Sequence, residues 1–349
     1  MISTPSPMQH PYLQIFRKHP RGILMGHIAV FLLVFLVCWA VIPFCSEVNT
    51  GQAPISVYID QDDTQDSVRI KAGNPNRWAW LDWYFEAKPR TGHYQILPGE
   101  SVFDVYRKFR NGTQTPVRVT VPQVRTLDQL ASRLARQIML DSASIANVLH
   151  DSAYYAQLGY TWQTLPALFI PNTYEMWWNT SMDKFMQRMQ RENKAFWTEA
   201  RTKKAEALGL TPVEVVTLAS IVSEETAYVP EMPKVAGMYL RRLQIGMPLQ
   251  ADPTVKFAVG DFSLRRIYFK HLEIESPYNT YKNKGLPPGP ICIPSVKAID
   301  AVLANEQHGY LYMCAKEDFS GSHNFARTYS EHLANARRYV RALNKRGIK

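Results

Sequence analysis

The sequence predicts an α+β protein with one N-terminal transmembrane helix, a small α/β subdomain and a larger mixed α+β domain. Three features predict this organisation: a long apolar run near the N-terminus, strand-then-helix patterns after it, and amphipathic helices mixed with short strand-like runs in the remainder. The chain has 349 residues, of which 46% are hydrophobic and 20% are charged, so it is long enough for two or three domains with buried cores.

The formal net charge of +10 suits a negatively charged partner, such as anionic lipid headgroups or an acidic polymer. The sequence carries no RNA-binding aromatic motif and no zinc-finger spacing, so we do not expect nucleic acid as a partner. Its four cysteines form no CxxC pair and no Cys/His cluster, so no metal site is predicted. Cys292 and Cys314 could form a disulfide outside the cytoplasm, or stay as two separate buried thiols.

The long apolar run covers residues 22–44 and follows a polar, basic tail at residues 1–21. As a helix it would be roughly 34 Å long, which is enough to cross a bilayer. The basic residues before it predict a cytoplasmic tail, with the bulk of the chain on the other side of the membrane. A cleaved signal peptide is the alternative, but the run is long for one and no clear A-x-A site follows it. We therefore expect a single-pass anchor.

A strand-then-helix pattern occurs twice after the anchor. A strand at 94–97 precedes a helix that Ser101 caps and Gly112 ends, and a strand at 117–121 precedes a helix that Thr126 caps. Units of this size resemble LysM carbohydrate-binding modules. We assign residues 46–115 to a LysM-like subdomain and residues 116–349 to the larger domain. In the LysM-like subdomain we also predict a strand at 55–59 and an aromatic helix at 78–85. In the larger domain we predict mostly helical structure over 142–200, interrupted at 167–178.

The most informative helix begins after Thr211, which forms the first half of a capping box with Glu214. At about 100° per residue, its apolar side chains form one stripe, and Glu225 falls on that stripe. Its neighbour Glu224 falls on the opposite side. A carboxyl group on an apolar face resists ionisation, as the general acid for a glycosidic bond must. The alternative is an ordinary glutamate at a helix end, paired with a lysine or arginine.

The C-terminal third offers further candidate site residues. Asp252 begins a D-P-T segment that reads as an Asx-type turn, or as a second carboxylate near Glu225. The loop around Tyr278 and Asn279 mixes rings, amides and hydroxyls, which suits either a sugar site or a structural loop. His323 lies in a Gly/Ser turn, where a lone histidine is usually solvated. A helix at 232–245, a strand at 311–315 and a basic helix at 330–344 complete the domain.

Five segments taken together, in this order, are more specific than any one of them: LASIVSEET, RRLQIGMPLQADPTV, SPYNTY, GLPPGPI and SHNF. In this combination the chain resembles the YceG-like family of endolytic murein transglycosylases. The resemblance implies one N-terminal helix in the inner membrane, a LysM-like subdomain and a catalytic domain outside the cytoplasm. It also implies cleavage within peptidoglycan glycan strands that leaves 1,6-anhydro-N-acetylmuramoyl ends.

The resemblance assigns the catalytic acid to Glu225, the last residue before threonine in the IVSEET segment. The residues that it implies for binding substrate or bracing the cleft are Glu231, Lys234, Gln250, Asp252, Asn279, Tyr281 and His323, to which we add Tyr174, Tyr278 and Phe325. This chain departs from the family pattern at Asn172, Arg241 and Phe257. These departures affect fine substrate contacts more than the reaction.

The implied reaction needs no cofactor and no metal, because the C6 hydroxyl of the substrate attacks its own C1. A water-using glycoside hydrolase with Asp252 or Glu231 as the second carboxylate is one alternative. A non-catalytic wall-binding scaffold is the other. The resemblance further implies peptidoglycan strands as the partner, and peptidoglycan synthases as companions whose growing strands the enzyme terminates.

Overall fold

A computed structural model describes residues 20–73, 88–264 and 266–347 of the protein. The mixed α+β class predicted from the sequence is confirmed. The chain divides into two compact units, Met1–Pro116 and Val117–Lys349, and each is described by itself. Most of the predicted cytoplasmic tail and the aromatic run at 78–85 lie outside the described residues.

The first unit contains these elements: α1 Pro20–Cys45, β1 Ile55–Ile59, α2 Gln65–Lys71, β2 Gly92–Ile96 and α3 Val102–Asn111. The second unit begins with β3 Val117–Val121, α4 Leu127–Leu134, α5 Ser142–His150, α6 Ser152–Gln157, β4 Asn172–Met176, α7 Met182–Phe196 and α8 Glu199–Ala207. It continues with α9 Pro212–Glu225, α10 Met232–Gln244, α11 Asp252–Val259, α12 Phe269–Leu272, α13 Val296–Ala304, β5 Tyr312–Ala315, β6 His323–Ala326 and α14 Tyr329–Lys345. Short 3-10 turns lie at Leu165–Leu168 and Val229–Glu231.

Helix α1 carries the apolar run near the N-terminus, and its most apolar part is Leu24–Trp39. Among the described residues, no single helix has both the length and the apolar composition needed to cross a membrane. Helices α8 and α9 meet these two criteria only as a pair, and they are bent by 77° at the break between them.

The first unit is built on the antiparallel pair β1–β2, in which Ile55 lies opposite Ile96. Side chains that alternate along the two strands pack with α2 and α3 into one core. The predicted cap of α3 is confirmed, because the Ser101 side chain accepts a hydrogen bond from the backbone N–H of Asp104. Gly112 ends the helix with φ +71°, a left-handed conformation that glycine adopts without steric cost.

One core of the second unit lies around the antiparallel pair β3–β4, covered by α4, α5 and α7. Strand β3 and the cap of α4 by Thr126 are confirmed. Strand β4 was not predicted, because Pro171 immediately before it was interpreted as a break in the segment 167–178. In the structure this proline precedes the first ladder residue, so it removes no hydrogen bond from the sheet.

The other core has α9 at its centre, packed against α10 and α13. The predicted capping box is confirmed, with Thr211 and Glu214 each bonded to the backbone of the other. The prediction of a single apolar stripe was too narrow, because every residue from Val215 to Val222 is buried. The buried Ser220 is satisfied by backbone groups: its hydroxyl donates to the carbonyl of Thr217 and accepts from the N–H of Ile291.

The chain ends in the antiparallel hairpin β5–β6, followed by α14, which packs against both strands. Strand β5 and helix α14 agree with the prediction to within one residue at either end. The sequence left His323 as either a solvated turn residue or a residue of the cleft. It is the first residue of β6 and is only partly exposed, so the solvated turn is wrong. Of the two alternatives for Asp252, the Asx-type turn is wrong, because this residue opens α11 and Pro253 suits the first turn of a helix.

Candidate active site

Glu225 is the last residue of α9, and its carboxyl group faces a cavity of about 270 Å³. The cavity is bounded by α9, α10, the start of α11, strand β5 and the first turn of α14. The residues that line it are Glu225, Met238, Tyr239, Arg242, Gln250, Asp252, Tyr281, Tyr312, Met313, Tyr329 and His332.

The carboxyl group of Glu225 is half-buried and accepts a 2.6 Å hydrogen bond on Oε1 from the hydroxyl of Tyr239. Burial is the largest influence on this group and raises its pKa from 4.5 to about 7. The bond from Tyr239 acts in the opposite direction because it stabilises the carboxylate, and the negative charge of Asp252 raises the pKa further. A pKa this close to neutral suits a group that both gives and takes a proton.

Arg242 brings a positive charge to the same cavity but is held by backbone oxygens. Its guanidinium is buried, with Nε donating to the carbonyl of Leu311 at 2.7 Å and Nη1 to that of Leu249 at 2.5 Å. Among the described residues Glu225 forms no ion pair, whereas its neighbour Glu224 pairs with Arg125 at 2.8 Å. The alternative of an ordinary paired glutamate thus describes Glu224 and not Glu225.

Asp252 is the second carboxylate of the cavity. Its Oδ1 accepts a 2.6 Å hydrogen bond from the hydroxyl of Tyr281, a residue of the SPYNTY segment. The hydroxyl groups of Thr254 and Thr280 lie 2.8 Å apart and fix α11 to this segment. Gln250 has φ +48°, an uncommon conformation for a residue with a side chain, and its N–H donates to the carbonyl of Thr280. Backbone strain of this kind is concentrated at functional sites.

Sequence reasoning missed the aromatic wall of the cavity and its cation. Tyr312 comes from β5, Tyr329 and His332 come from α14, and the rings of Tyr312 and His332 stack with centroids 5.4 Å apart. Arg242 was predicted only to lie within the helix at 232–245. The available signal in the sequence was a tyrosine at the start of β5 (Tyr312) and another at the start of α14 (Tyr329). Only the tertiary structure brings them to Glu225.

Three predicted substrate-binding residues line neither this cavity nor the second one described below. Tyr174 is buried in the core around β3–β4, where its hydroxyl donates to the carbonyl of Ile170, so it is removed from the candidate site. Tyr278 is buried and its ring lies 4.7 Å from that of Phe257. Asn279 is fully buried and braces its loop by donating to the carbonyls of Leu272 and Ile274.

Glu231, Lys234, His323 and Phe325 line a second cavity, of about 580 Å³. Glu231 is buried, and its two oxygens accept hydrogen bonds at 2.8 Å from the backbone N–H and from the ring Nδ1 of His323. The other residues that line it are Tyr228, Pro230, Lys316, Asp318, Ser320 and Ser322. The predicted site residues thus line two different cavities or, like Asn279, support the loops beside them.

The cysteines take no part in either cavity. Cys292 and Cys314 are free thiols, so the disulfide left open by the sequence is absent. Burial raises the pKa of the Cys292 thiol, whose sulfur lies 3.6 Å from the carbonyl of Ser220. Within the described residues, no group of three or more His, Cys, Asp or Glu side chains could hold a metal ion.

Comparisons with known proteins agree with the resemblance noted in the sequence. An endolytic murein transglycosylase of Bacillus subtilis is 28% identical over 275 residues, which is 74% of this chain and 75% of that protein. An endolytic murein transglycosylase of Streptococcus pneumoniae is 26% identical over 286 residues, or 72% of this chain, but the match spans only 51% of that protein.

The fold is also similar to that of a solved protein. A crystal structure of a yceG-like protein from Listeria monocytogenes has a TM-score of 0.55 and 24% identity, covering 81% of this chain and 99% of the other. The model of the YceG-like family matches residues 64–338, a span that holds every residue of both cavities. The chain therefore belongs to the YceG-like family.

Proposed function

We propose that the protein is an endolytic lytic transglycosylase that cleaves the bond between N-acetylmuramic acid and N-acetylglucosamine within peptidoglycan strands. The observation that carries this proposal is the half-buried Glu225, whose raised pKa lets it act as an acid at neutral pH in a cavity of its own. The names of the two relatives support the same activity.

In the proposed reaction, protonated Glu225 gives its proton to the glycosidic oxygen and the bond from that oxygen to C1 breaks. Because Oε1 accepts from Tyr239, the proton is carried by Oε2. The C6 hydroxyl of the muramoyl residue then attacks C1, and the Glu225 carboxylate removes the hydroxyl proton. The product is a 1,6-anhydro end, and Glu225 is protonated again. Asp252 and the carboxylate form of Glu225 would stabilise the positive charge that develops near C1.

A water-using muramidase is the second candidate, and one observation favours it. Asp252 lines the same cavity as Glu225, so two carboxylates are available, as in most glycoside hydrolases. A third possibility, a wall-binding scaffold, would leave the strands intact.

Digestion of purified murein with residues 46–349 separates the three candidates. Mass spectrometry of the fragments should show anhydro-muramoyl ends, and Glu225→Gln should release them at a rate lower by about 10²–10⁴. Reducing ends that incorporate ¹⁸O from labelled water would instead identify a muramidase. Murein that stays intact with the wild type as well as with Glu225→Gln would rule out catalysis.

We further propose that α1 anchors the protein in the inner membrane, with the chain after α1 outside the cytoplasm. In its segment Leu24–Trp39 the apolar side chains are exposed, which the interior of a bilayer would accommodate. A carbonate wash of membranes tests this, because an anchored protein stays in the pellet and a chain lacking residues 1–45 should not. Recovery of both forms in the supernatant would overturn the anchor.

The remaining expectations concern carbohydrate and protein partners. We propose that the first unit is a LysM-like module and that the enzyme terminates strands made by peptidoglycan synthases. The pairing of β1–β2 with α2 and α3 supports the first proposal, and the family resemblance supports the second. Murein pull-down by residues 46–116 tests the first. Longer glycan strands after deletion of the gene would support the second.

A further inference from the structure

The cavity at Glu231 and His323 (the second cavity) directly adjoins the cavity at Glu225. Lys234 lines the second cavity and Met238 lines the first, and they lie four residues apart on α10, so they are neighbours on one helix face. Met313 lines the first cavity and is paired across the β5–β6 sheet with Phe325, which lines the second. The two cavities are therefore side by side along the same helix and hairpin.

The second cavity is lined by charges of both signs. The two oxygens of Glu231 are occupied by His323, so this carboxylate fastens β6 and is not available to a ligand. Lys234 and Lys316 remain, and among the described residues neither forms an ion pair. The ammonium group of Lys234 lies 5.6 Å from the centre of the Phe325 ring. Asp318, two residues after Lys316 in the chain, adds one carboxylate to the lining.

A lining of two lysines, one carboxylate and aromatic rings fits a peptide better than an uncharged sugar ring. In peptidoglycan, each unmodified muramoyl residue carries a short peptide that has several carboxylates and, in many species, a free amino group. This peptide branches from the sugar on which the Glu225 cavity would act. A cavity next to Glu225 is therefore where the branch would lie.

We propose that the second cavity is a subsite for the peptide branch of the glycan strand, in which Lys234 and Lys316 bind its carboxylates. This proposal rests on the proposed transglycosylase function. It makes the enzyme selective for strands that still carry peptides. Loss of one charge-assisted contact at a partly exposed site should change kcat/KM by roughly tenfold.

The test compares two substrates that differ only in the peptide: murein strands, and the same strands after an amidase has removed the peptides. The ratio of kcat/KM for the two substrates is measured for the wild type, Lys234→Met and Lys316→Met. Methionine keeps the length and helix propensity of the lysine at position 234. Lys203→Met is the control, because Lys203 lies on α8 and pairs with Glu199 in an exposed position. Thermal unfolding checks that each variant is folded.

We expect the wild type and Lys203→Met to prefer peptide-bearing strands, and each cavity variant to lose roughly tenfold of that preference. Equal rates of the wild type on both substrates would overturn the proposal, as would equal losses on both substrates in the cavity variants. Absence of cleavage of either substrate would instead contradict the proposed function.

A binding measurement keeps the two proposals separate. Calorimetry with Glu225→Gln as host, titrated with the tetrapeptide released from the same murein, needs no catalysis. Binding that is weakened by Lys234→Met and not by Lys203→Met supports the subsite. Binding equally strong in all variants, or none at millimolar peptide, overturns it.

Discussion

The hydroxyl of Tyr239 donates a 2.6 Å hydrogen bond to Oε1 of Glu225, fourteen residues earlier in the chain. Two opposing influences meet at this contact. Burial favours the neutral acid, while the bond from Tyr239 favours the carboxylate. Because burial raises the pKa of Tyr239 well above 10, its hydroxyl stays protonated and can donate throughout the working range of pH. The pair keeps the pKa of Glu225 at about 7.

The first prediction concerns the pH dependence of cleavage. A general acid must be protonated, so kcat/KM, which reports the free enzyme, should fall as pH rises through about 7, the pKa of Glu225. Release of fragments from murein, followed between pH 5 and pH 9, measures this limb. A rate that stays constant up to pH 9 would contradict the assignment of Glu225 as the acid.

The second prediction concerns Tyr239→Phe. This change removes the bond that favours the carboxylate, so the pKa of Glu225 should rise and the alkaline limb should move to higher pH. Tyr329→Phe is the matched control, because Tyr329 lines the same cavity but is not one of the groups that shift the pKa of Glu225. A limb that moves to lower pH in Tyr239→Phe would show that the hydroxyl has another role.

The third prediction is a shift of opposite sign in Asp252→Asn. The negative charge of Asp252 raises the pKa of Glu225, so its removal should lower that pKa and move the alkaline limb to lower pH. The same pH profile measures it, whatever the change in the maximal rate. Asp261→Asn serves as the control, since Asp261 lies past the end of α11 and outside the cavity. An unchanged limb in Asp252→Asn would mean that the two carboxylates do not interact.

The parts of the structure that could be predicted from the sequence are those set by local chemistry. The cap at Thr211, the left-handed Gly112 and the alternation of β3 are properties of a few adjacent residues, and helical periodicity alone separates Glu225 from Glu224. Prolines and Gly/Ser turns hid the short strands β4 and β6, whose pairing depends on partners far along the chain.

The walls of the cavity depend on the tertiary structure. Tyr312 and His332 lie about a hundred residues after Glu225, and nothing in their local sequence indicates that they reach it. Tyr174 shows the converse error: a residue that we added to the predicted site is buried in the other core. The lining of a cavity depends on which faces of the helices and strands pack together, and this cannot be predicted from local sequence patterns.

The fourth prediction separates the two adjacent glutamates. Glu225→Gln should lower kcat by about 10²–10⁴, the usual contribution of a general acid, because an amide cannot give a proton to the leaving oxygen. Glu224→Gln is the matched control, since Glu224 is paired with Arg125 and does not line the cavity. Fragment release from murein measures both. Equal loss in the two variants would contradict the choice between these neighbours.

The fifth prediction links Glu225 to stability. The folded protein keeps the Glu225 proton up to a pKa of about 7, while the unfolded chain releases it near 4.5, so the folded state binds more protons between these values. The free energy of unfolding should therefore fall as pH rises through this window, by about 3 kcal/mol for this group alone. Glu225→Gln lacks this titrating group. The free energy of unfolding of the variant, relative to that of the wild type, should therefore rise between pH 4.5 and 7 and stay constant above pH 7. Urea unfolding at pH 4.5, 6 and 8 measures the difference, and parallel curves for the two proteins would contradict it.

The last prediction concerns the close packing that holds α10 beside Glu225. A Cβ atom added at Gly237 would lie 2.2 Å from the carbonyl oxygen of Glu306 and 2.9 Å from Nε2 of His308. Because one of these neighbours is backbone, Gly237→Ala must displace α10 or the loop after α13, and overpacking of this kind typically costs about 1–3 kcal/mol of unfolding free energy. A displacement of α10 moves Tyr239, two residues on, relative to Glu225, and then the alkaline limb should shift as well as the stability, whereas a displacement of the loop changes the stability alone. Arg241→Ala is the control: it lies on the exposed face of the same helix and should change stability by less than about 0.5 kcal/mol. If Gly237→Ala unfolds at the same urea concentration as the wild type, α10 is not fixed by this contact, and the position of Tyr239 must depend on the core around α9.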